Sequence, residues 1–257
     1  MSPILANDEL VHSSPKVVFF DKDGTLVDIH HYWVSMIKIR ANFISKKWVT
    51  KTTDLNLYSD KLIDAMGVNL VTDRIKHNGP VGVKPRSYIV HIAADIVRKE
   101  GCYITDEEME LLFMEVDQVT SGNLLSLVKI LPGVKKLLCQ LKECGIQSIV
   151  VSNDITERAK KALEAIKIDH MFVEIIGSDS VSNSKPAPDL IKLGLSRIGI
   201  NASEAVVIGD HPVDIMMGIN SGISANIGVL NGISEKTAFS KYDCHVVNEL
   251  SSILVEA

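Results

Sequence analysis

Val17-Val18-Phe19-Phe20-Asp21-Lys22-Asp23-Gly24-Thr25 is the stretch that decides how this chain folds. Four consecutive apolar residues read as a short strand buried on both faces, as in a parallel sheet. The run stops at two carboxylates flanking a lysine, followed by a glycine and a hydroxyl. Two comparable runs recur: Ile149-Val150-Val151 leads into Ser152-Asn153-Asp154, and Ala205 to Ile208 leads into Gly209-Asp210-His211-Pro212-Val213-Asp214. Weaker runs cover Phe172 to Ile176 and Ile223 to Val229. Ligands of an open parallel sheet bind at the carboxyl ends of its strands. Three strands are therefore expected to deliver carboxylates and hydroxyls to one edge.

Between these runs the period changes from two to 3.6. Val134, Leu137, Leu138 and Leu141 follow Pro132-Gly133 at helical spacing, and Ala159, Ala162, Leu163 and Ile166 repeat it. From residue 131 onward the chain reads as strands alternating with helices, which predicts an α/β fold with a doubly wound parallel sheet. Residues 30–124 break the alternation. They predict helices over Tyr32 to Trp48, Leu55 to Met66, Ser87 to Lys99 and Asp106 to Val119, with a loop from Asn78 to Pro85. Thr105 is placed to cap the last helix, and Asp106, Glu107 and Glu108 complement its dipole. The expected organisation is a loose polar lead-in over 1–15, a core of 16–29 and 125–257, and a helical cap over 30–124.

Bulk properties narrow the function classes. The 257 residues are 46% hydrophobic with a net charge of −5, so a sizeable core is expected and a global basic field for nucleic acid is not. Lys46-Lys47 reads as helix surface. Cys102, Cys139, Cys144 and Cys244 lack metal-site spacing and are expected as free thiols of a reducing compartment. Met1 to Ala6 is too short for a secretory apolar region, and no run of about 18 apolar residues appears. A cytoplasmic protein without a membrane span is expected.

The chemistry lies at the strand ends. Asp21 and Asp23 are two residues apart on a chain leaving a strand, so both can face one side. Two carboxylates in one crevice repel, and a hard divalent cation with oxygen ligands, Mg²⁺, relieves that repulsion. Gly24 permits close backbone approach. Lys185-Pro186-Ala187-Pro188-Asp189 sets a lysine before a helix start, where it can neutralise a phosphoryl group as a point charge. Asp214 stands one helical turn beyond Asp210 if Pro212 opens a helix. Taken singly, each feature is also ordinary: a strand-end turn, a surface lysine, a capping aspartate.

In order, the segments are Asp-x-Asp-Gly-Thr, apolar-Ser-Asn, Lys-Pro-x-Pro-Asp and apolar-Gly-Asp-x-x-x-Asp. With these four in sequence the chain resembles the haloacid dehalogenase superfamily of phosphohydrolases, and within it the phosphoglycolate-phosphatase-like branch with a helical C1-type cap. The resemblance covers about 16–29 and 125–257, including Leu131-Pro132-Gly133 and Asn220-Ser221-Gly222. It implies a Mg²⁺-dependent phosphatase acting through an aspartyl-phosphate. Asp21 would be the nucleophile and Asp23 the acid and base. Gly24 and Thr25 would order their loop. Ser152 would hydrogen-bond the phosphoryl oxygens, backed by Asn153, and Lys185 would hold Asp21 and the transferring group. Mg²⁺ would rest on the Asp21 carboxylate, the Asp23 backbone carbonyl and Asp210, with Asp214 behind them. Lys22 departs from the family pattern, which is often apolar there and uses mainly the backbone N–H.

Three functions stay open on the same fold. A phosphatase passes the phosphoryl group to water, a phosphomutase returns it to a sugar phosphate, and a binding protein does neither. The last is disfavoured because all four motifs keep their chemical groups. A dehalogenase is disfavoured because halide displacement does not need Asp23. The expected partner is a small phosphorylated metabolite, on the ground that a cap of this size could close over the site. His30 and His31 are the first candidates for substrate contacts, with Tyr32, Arg40, Lys84 and Arg86 behind them. For each, a packed or solvated residue is the favoured reading.

Overall fold

A computed structural model describes residues 2–48, 55–81 and 83–256. The chain divides into two compact units, Met1–Asp28 with Val128–Ala257, and Ile29–Leu127.

The first unit opens with strands β1 (Ile4–Ala6), β2 (Glu9–His12) and β3 (Val17–Phe20). The stretch expected to be a loose lead-in is thus a hairpin. Asn7 and Asp8 turn it in the left-handed region, with φ of 50° and 66°, which Asn and Asp tolerate better than most residues.

The second unit holds α1 (Ile29–Trp48), α2 (Leu55–Ala65), the short strands β4 (Val68–Asn69) and β5 (Arg74–Ile75), α3 (Arg86–Lys99), α4 (Asp106–Ser121) and α5 (Leu124–Leu127). The four predicted helices form within a residue or three of their expected ends, and Gly82 of the predicted loop lies outside the described residues. Thr105 completes a capping box: its hydroxyl accepts from Glu108 N, and the Glu108 carboxylate accepts from Thr105 N. Helix α1 buries Tyr32, Trp33, Met36, Ile37, Arg40, Ala41 and Ile44, a stripe of helical period. Two buried arginines tie the helices together. Arg40 NH2 donates to Asp117 Oδ1 at 3.0 Å, and Arg86 donates to Asp117 Oδ2 at 2.6 Å and to Glu110 Oε1 at 2.7 Å. Both guanidinium groups also lie over the Phe113 ring, at 4.4 and 5.5 Å from its centroid.

The first unit resumes with α6 (Val134–Glu143), β6 (Gln147–Val151), α7 (Thr156–Ala165), β7 (Glu174–Ile176), α8 (Asp189–Ile198), β8 (Ala205–Gly209), α9 (Pro212–Asn220), β9 (Ala225–Val229), β10 (His245–Val247) and β11 (Ile253–Val255). Six strands form a parallel sheet in the order β10-β9-β8-β3-β6-β7. Strand β3 lies inside it, between β8 and β6, which is why all four of its residues are apolar and buried. Val17, Phe19, Ile149, Val151, Ala205 and Val207 alternate onto one face and pack on Leu190, Ile191 and Met217 of the helices. Burying each such side chain contributes about 1.5–3 kcal/mol. Strands β11, β1 and β2 form a separate antiparallel sheet. Among the described residues, no helix is long and apolar enough to cross a membrane.

Candidate active site

Register brings the motifs together. Phe20 pairs with Val150 of β6 and with Ile208 of β8, so Asp21, Ser152 and Asp210 emerge from three adjacent strands at one sheet edge. Asp21 N donates to Ile208 O at 2.9 Å, which locks the nucleophile candidate to the strand that carries Asp210. After Asp21 the chain folds back at once. Leu26 N and Val27 N both donate to Lys22 O, at 2.9 and 3.0 Å. Gly24 has a φ of 94°, and a Cβ there would collide with the Asp210 carboxylate.

Asp21, Asp23, Ser152, Asn153, Lys185, Asp210 and Asp214 are all buried. Lys185 Nζ donates to Asp21 Oδ1 at 2.5 Å and to Asp214 Oδ1 at 2.7 Å. Its backbone N donates to Asn153 Oδ1 at 3.0 Å, so Asn153 fastens the lysine loop to the β6 loop. Ser152 Oγ accepts from Asp154 N at 3.1 Å, which fixes the hydroxyl at the end of β6. Asp214 Oδ2 caps α9 by accepting from His211 N at 3.0 Å. Asp210 Oδ2 accepts from Ile233 N at 3.0 Å, a contribution from the loop after β9 that no side-chain pattern announces. A Cβ at Gly232 in that loop would collide with Asp210.

Carboxylate oxygens of Asp21, Asp210 and Asp214 lie within 4.8 Å of one another. Three buried acids share one lysine, and the ionisation of Asp21 and Asp210 suffers for it. Burial raises Asp21 to about 6, Asp214 adding to the effect and Lys185 opposing it. Burial, then Asp21 and Asp214, push Asp210 well above the ordinary carboxylate range. Burial works against the Lys185 ammonium, yet Asp21 and Asp214 outweigh it and its pKa is raised. Asp21 Oδ2 is buried and, among the described residues, accepts no hydrogen bond. An oxygen-only donor set with excess negative charge and an orphaned carboxylate oxygen fits a hard divalent cation such as Mg²⁺.

Asp23 pairs with a different lysine. Its carboxylate accepts from Lys22 Nζ at 2.7 Å, and Lys22 also lies 3.5 Å from Asp154. Burial raises the Asp23 pKa, with Lys22 tempering it. The Lys22 side chain is therefore part of the site, beyond the backbone role expected of that position. Thr25 Oγ1 is buried with no hydrogen-bond partner among the described residues. His211 is pushed down to about 4, first by burial, and its Nδ1 accepts from Val213 N at 3.2 Å.

His30 and His31 belong to the helical unit. His30 Nδ1 accepts from Ile75 N at 3.1 Å, and His31 Nε2 lies 3.1 Å from Ser126 O. Arg40 and Arg86 are committed to Asp117 and Glu110, and Lys84 lies over the Tyr88 ring at 5.6 Å.

A parallel sheet with an acidic cluster at the carboxyl ends of β3 and β8, and a lysine across it, defines a phosphoryl-handling α/β enzyme of the haloacid dehalogenase kind. The model of haloacid dehalogenase-like hydrolases matches residues 18–227, and the chain belongs to that family. It is 27% identical to a probable phosphatase, IndB, of Dickeya dadantii over 94% of this chain and 92% of that one. With the phosphoglycolate phosphatase of Mannheimia succiniciproducens it shares 30% identity over 52% of this chain and 59% of that one. Among solved structures, a predicted phosphoglycolate phosphatase from Haemophilus somnus superposes with a TM-score of 0.69 at 22% identity, covering 93% and 96% of the two chains. A β-phosphoglucomutase from Clostridium difficile superposes at 0.64 with 18% identity and 92% coverage of each, so the fold serves both kinds of neighbour.

Proposed function

We propose that this chain is a Mg²⁺-dependent phosphatase that removes phosphate from a small phosphorylated metabolite, carrying the phosphoryl group on Asp21. The observation that carries the proposal is the state of the Asp21 carboxylate. One oxygen is held by Lys185 at 2.5 Å, the other is buried without a hydrogen bond among the described residues, and a carboxylate oxygen of Asp21 lies within 4.8 Å of oxygens of Asp210 and Asp214.

A carboxylate oxygen of Asp21 attacks phosphorus as the bond to the substrate oxygen breaks. Asp23 gives its proton to that oxygen, which leaves as an alcohol. Asp23 then takes a proton from water, whose oxygen attacks phosphorus, and inorganic phosphate departs as Asp21 recovers its carboxylate. Two easier steps replace one hard one. In this reading Lys185 and the Ser152 hydroxyl bind phosphoryl oxygens, and such positioning and charge neutralisation dominate phosphoryl transfer. The Asp21 carboxylate, Asp23 carbonyl and Asp210 would hold Mg²⁺, with Asp214 beside them; bound there, the ion neutralises charge on the acids and the phosphoryl oxygens.

Relatives named phosphatase, phosphoglycolate phosphatase and pyrophosphatase support a small substrate. The test is phosphate release from a panel of phosphorylated metabolites, by wild type and Asp21→Asn, with Mg²⁺ or with a chelator. Release is expected only from wild type with Mg²⁺. Full activity under chelation, or from a folded Asp21→Asn, contradicts the proposal. Interconversion of sugar monophosphates outpacing release would replace the phosphatase with a mutase.

A further inference from the structure

Lys22 stands between the two catalytic aspartates, and its side chain is fully buried. A buried ammonium costs several kcal/mol unless it is paired with good geometry. Here the pairing runs through a chain of alternating charge. Lys22 Nζ donates to Asp23 Oδ1 at 2.7 Å and sits 3.5 Å from Asp154 Oδ2. Arg158 Nε donates to both Asp154 oxygens, at 2.7 and 2.9 Å, and Ile155 N donates to Asp154 Oδ1 at 2.8 Å. Arg158 lies in the first turn of α7, so Asp154 is fixed to a helix and not to a loop. Asp23, Lys22, Asp154 and Arg158 are each at least nine-tenths buried, which leaves little water to compete for these bonds.

We propose that Lys22 is a positioning residue for Asp23: by holding Oδ1, and being held in turn by Asp154 and Arg158, it leaves Oδ2 as the oxygen that exchanges the proton with the leaving group and with water. The proposal builds on the reading of Asp23 as acid and base. A carboxylate at the end of a strand has two free torsions, and proton transfer needs it within hydrogen-bond reach of the leaving oxygen. An error of about 1 Å in such a group can cost about 100-fold. Lys22 therefore acts on catalysis through Asp23 and makes no contact with the phosphoryl group.

The experiment compares wild type, Lys22→Met, Asp23→Asn and the double variant on two substrates. One is p-nitrophenyl phosphate, whose phenolate leaves without a proton; the other is the alkyl monophosphate that wild type hydrolyses best. For the alkyl ester, Lys22→Met is expected to lower kcat/KM about 100-fold, mostly through kcat, and for the aryl ester by less than about tenfold. In the Asp23→Asn background, Lys22→Met is expected to cost little more, because the two act as one unit. Equal losses on both esters, or losses that add in full, would overturn the proposal. Asp154→Asn, which keeps Lys22 but weakens its anchor, should show a smaller loss with the same preference for the alkyl ester. Crystal structures of wild type and Lys22→Met supply a readout free of activity. An Asp23 carboxylate that leaves its wild-type orientation supports the proposal, and one that keeps it overturns it. Failure of Asp21→Asn to abolish turnover would instead count against the phosphatase reading and leave the orientation test standing.

Discussion

Asp210 sits where its surroundings disfavour a negative charge. It is buried, faces Asp21 and Asp214, and receives one backbone hydrogen bond from Ile233. A group whose folded pKa is raised contributes stability below its unfolded value, about 4, and loses it as pH rises through the folded value. Asp21, raised to about 6, and Asp210, raised further, both act in this sense. Asp154 acts oppositely, because Arg158 and Lys22 outweigh its burial and lower its pKa, but its loss falls below about pH 4 and outside this window. His211, lowered to about 4 chiefly by burial, opposes Asp21 and Asp210 inside the window, because its contribution is lost as pH falls from about 6.5. The change in unfolding temperature from pH 5 to pH 8 is therefore expected to be more negative in metal-free wild type than in metal-free Asp210→Asn, and Mg²⁺ to bring wild type toward the variant. Asp210→Asn should raise the metal-free unfolding temperature at pH 8 and abolish the response to Mg²⁺. An unchanged Mg²⁺ response in Asp210→Asn would remove Asp210 from the metal site. Asp21 was legible in the sequence because it directly follows an apolar run, Asp210 because only Gly209 separates it from one, and Asp214 from its spacing of one helical turn beyond Asp210. Lys22 was not, since nothing in Asp-Lys-Asp says whether the lysine turns outward or folds back beneath Asp23. The spacing of Asp154 and Arg158, one helical turn apart, was the available signal for the second half of that network.

Among the elements, β3, β6 and β8 were readable as unbroken apolar runs, and the helices of the second unit by their period and caps. The Thr105 capping box offers a direct check on the local argument. Thr105→Ala should lower stability by about 1 kcal/mol, measured by urea unfolding with unchanged denaturant dependence. No loss would mean that tertiary packing, not the cap, sets the start of α4. Strands β1, β2 and β11 escaped the sequence reading for a physical reason. They are three or four residues long, and β1 is completed by β11 from the opposite end of the chain, with Ile4 opposite Val255. Neither segment carries a periodic pattern long enough to register alone. Arg40 and Arg86 were legible as cations but not as fasteners, because their partner Asp117 lies far along the sequence.

At the scale of the molecule, family membership, the strand order and the buried acidic edge all bear on one claim, that Asp21 takes the phosphoryl group. Asp23→Asn isolates it. With p-nitrophenyl phosphate the first step needs no acid, whereas the second still needs a base, so the phosphorylated enzyme should accumulate. The measurement is an acid-quenched, proteolysed sample of that variant, taken after mixing with p-nitrophenyl phosphate and Mg²⁺ and read by mass spectrometry. The account predicts a burst of about one p-nitrophenol per active site and a phosphoryl group on the Asp21 side chain. Release of phosphate with Asp21 unmodified, or with the phosphoryl group on another residue, would contradict it.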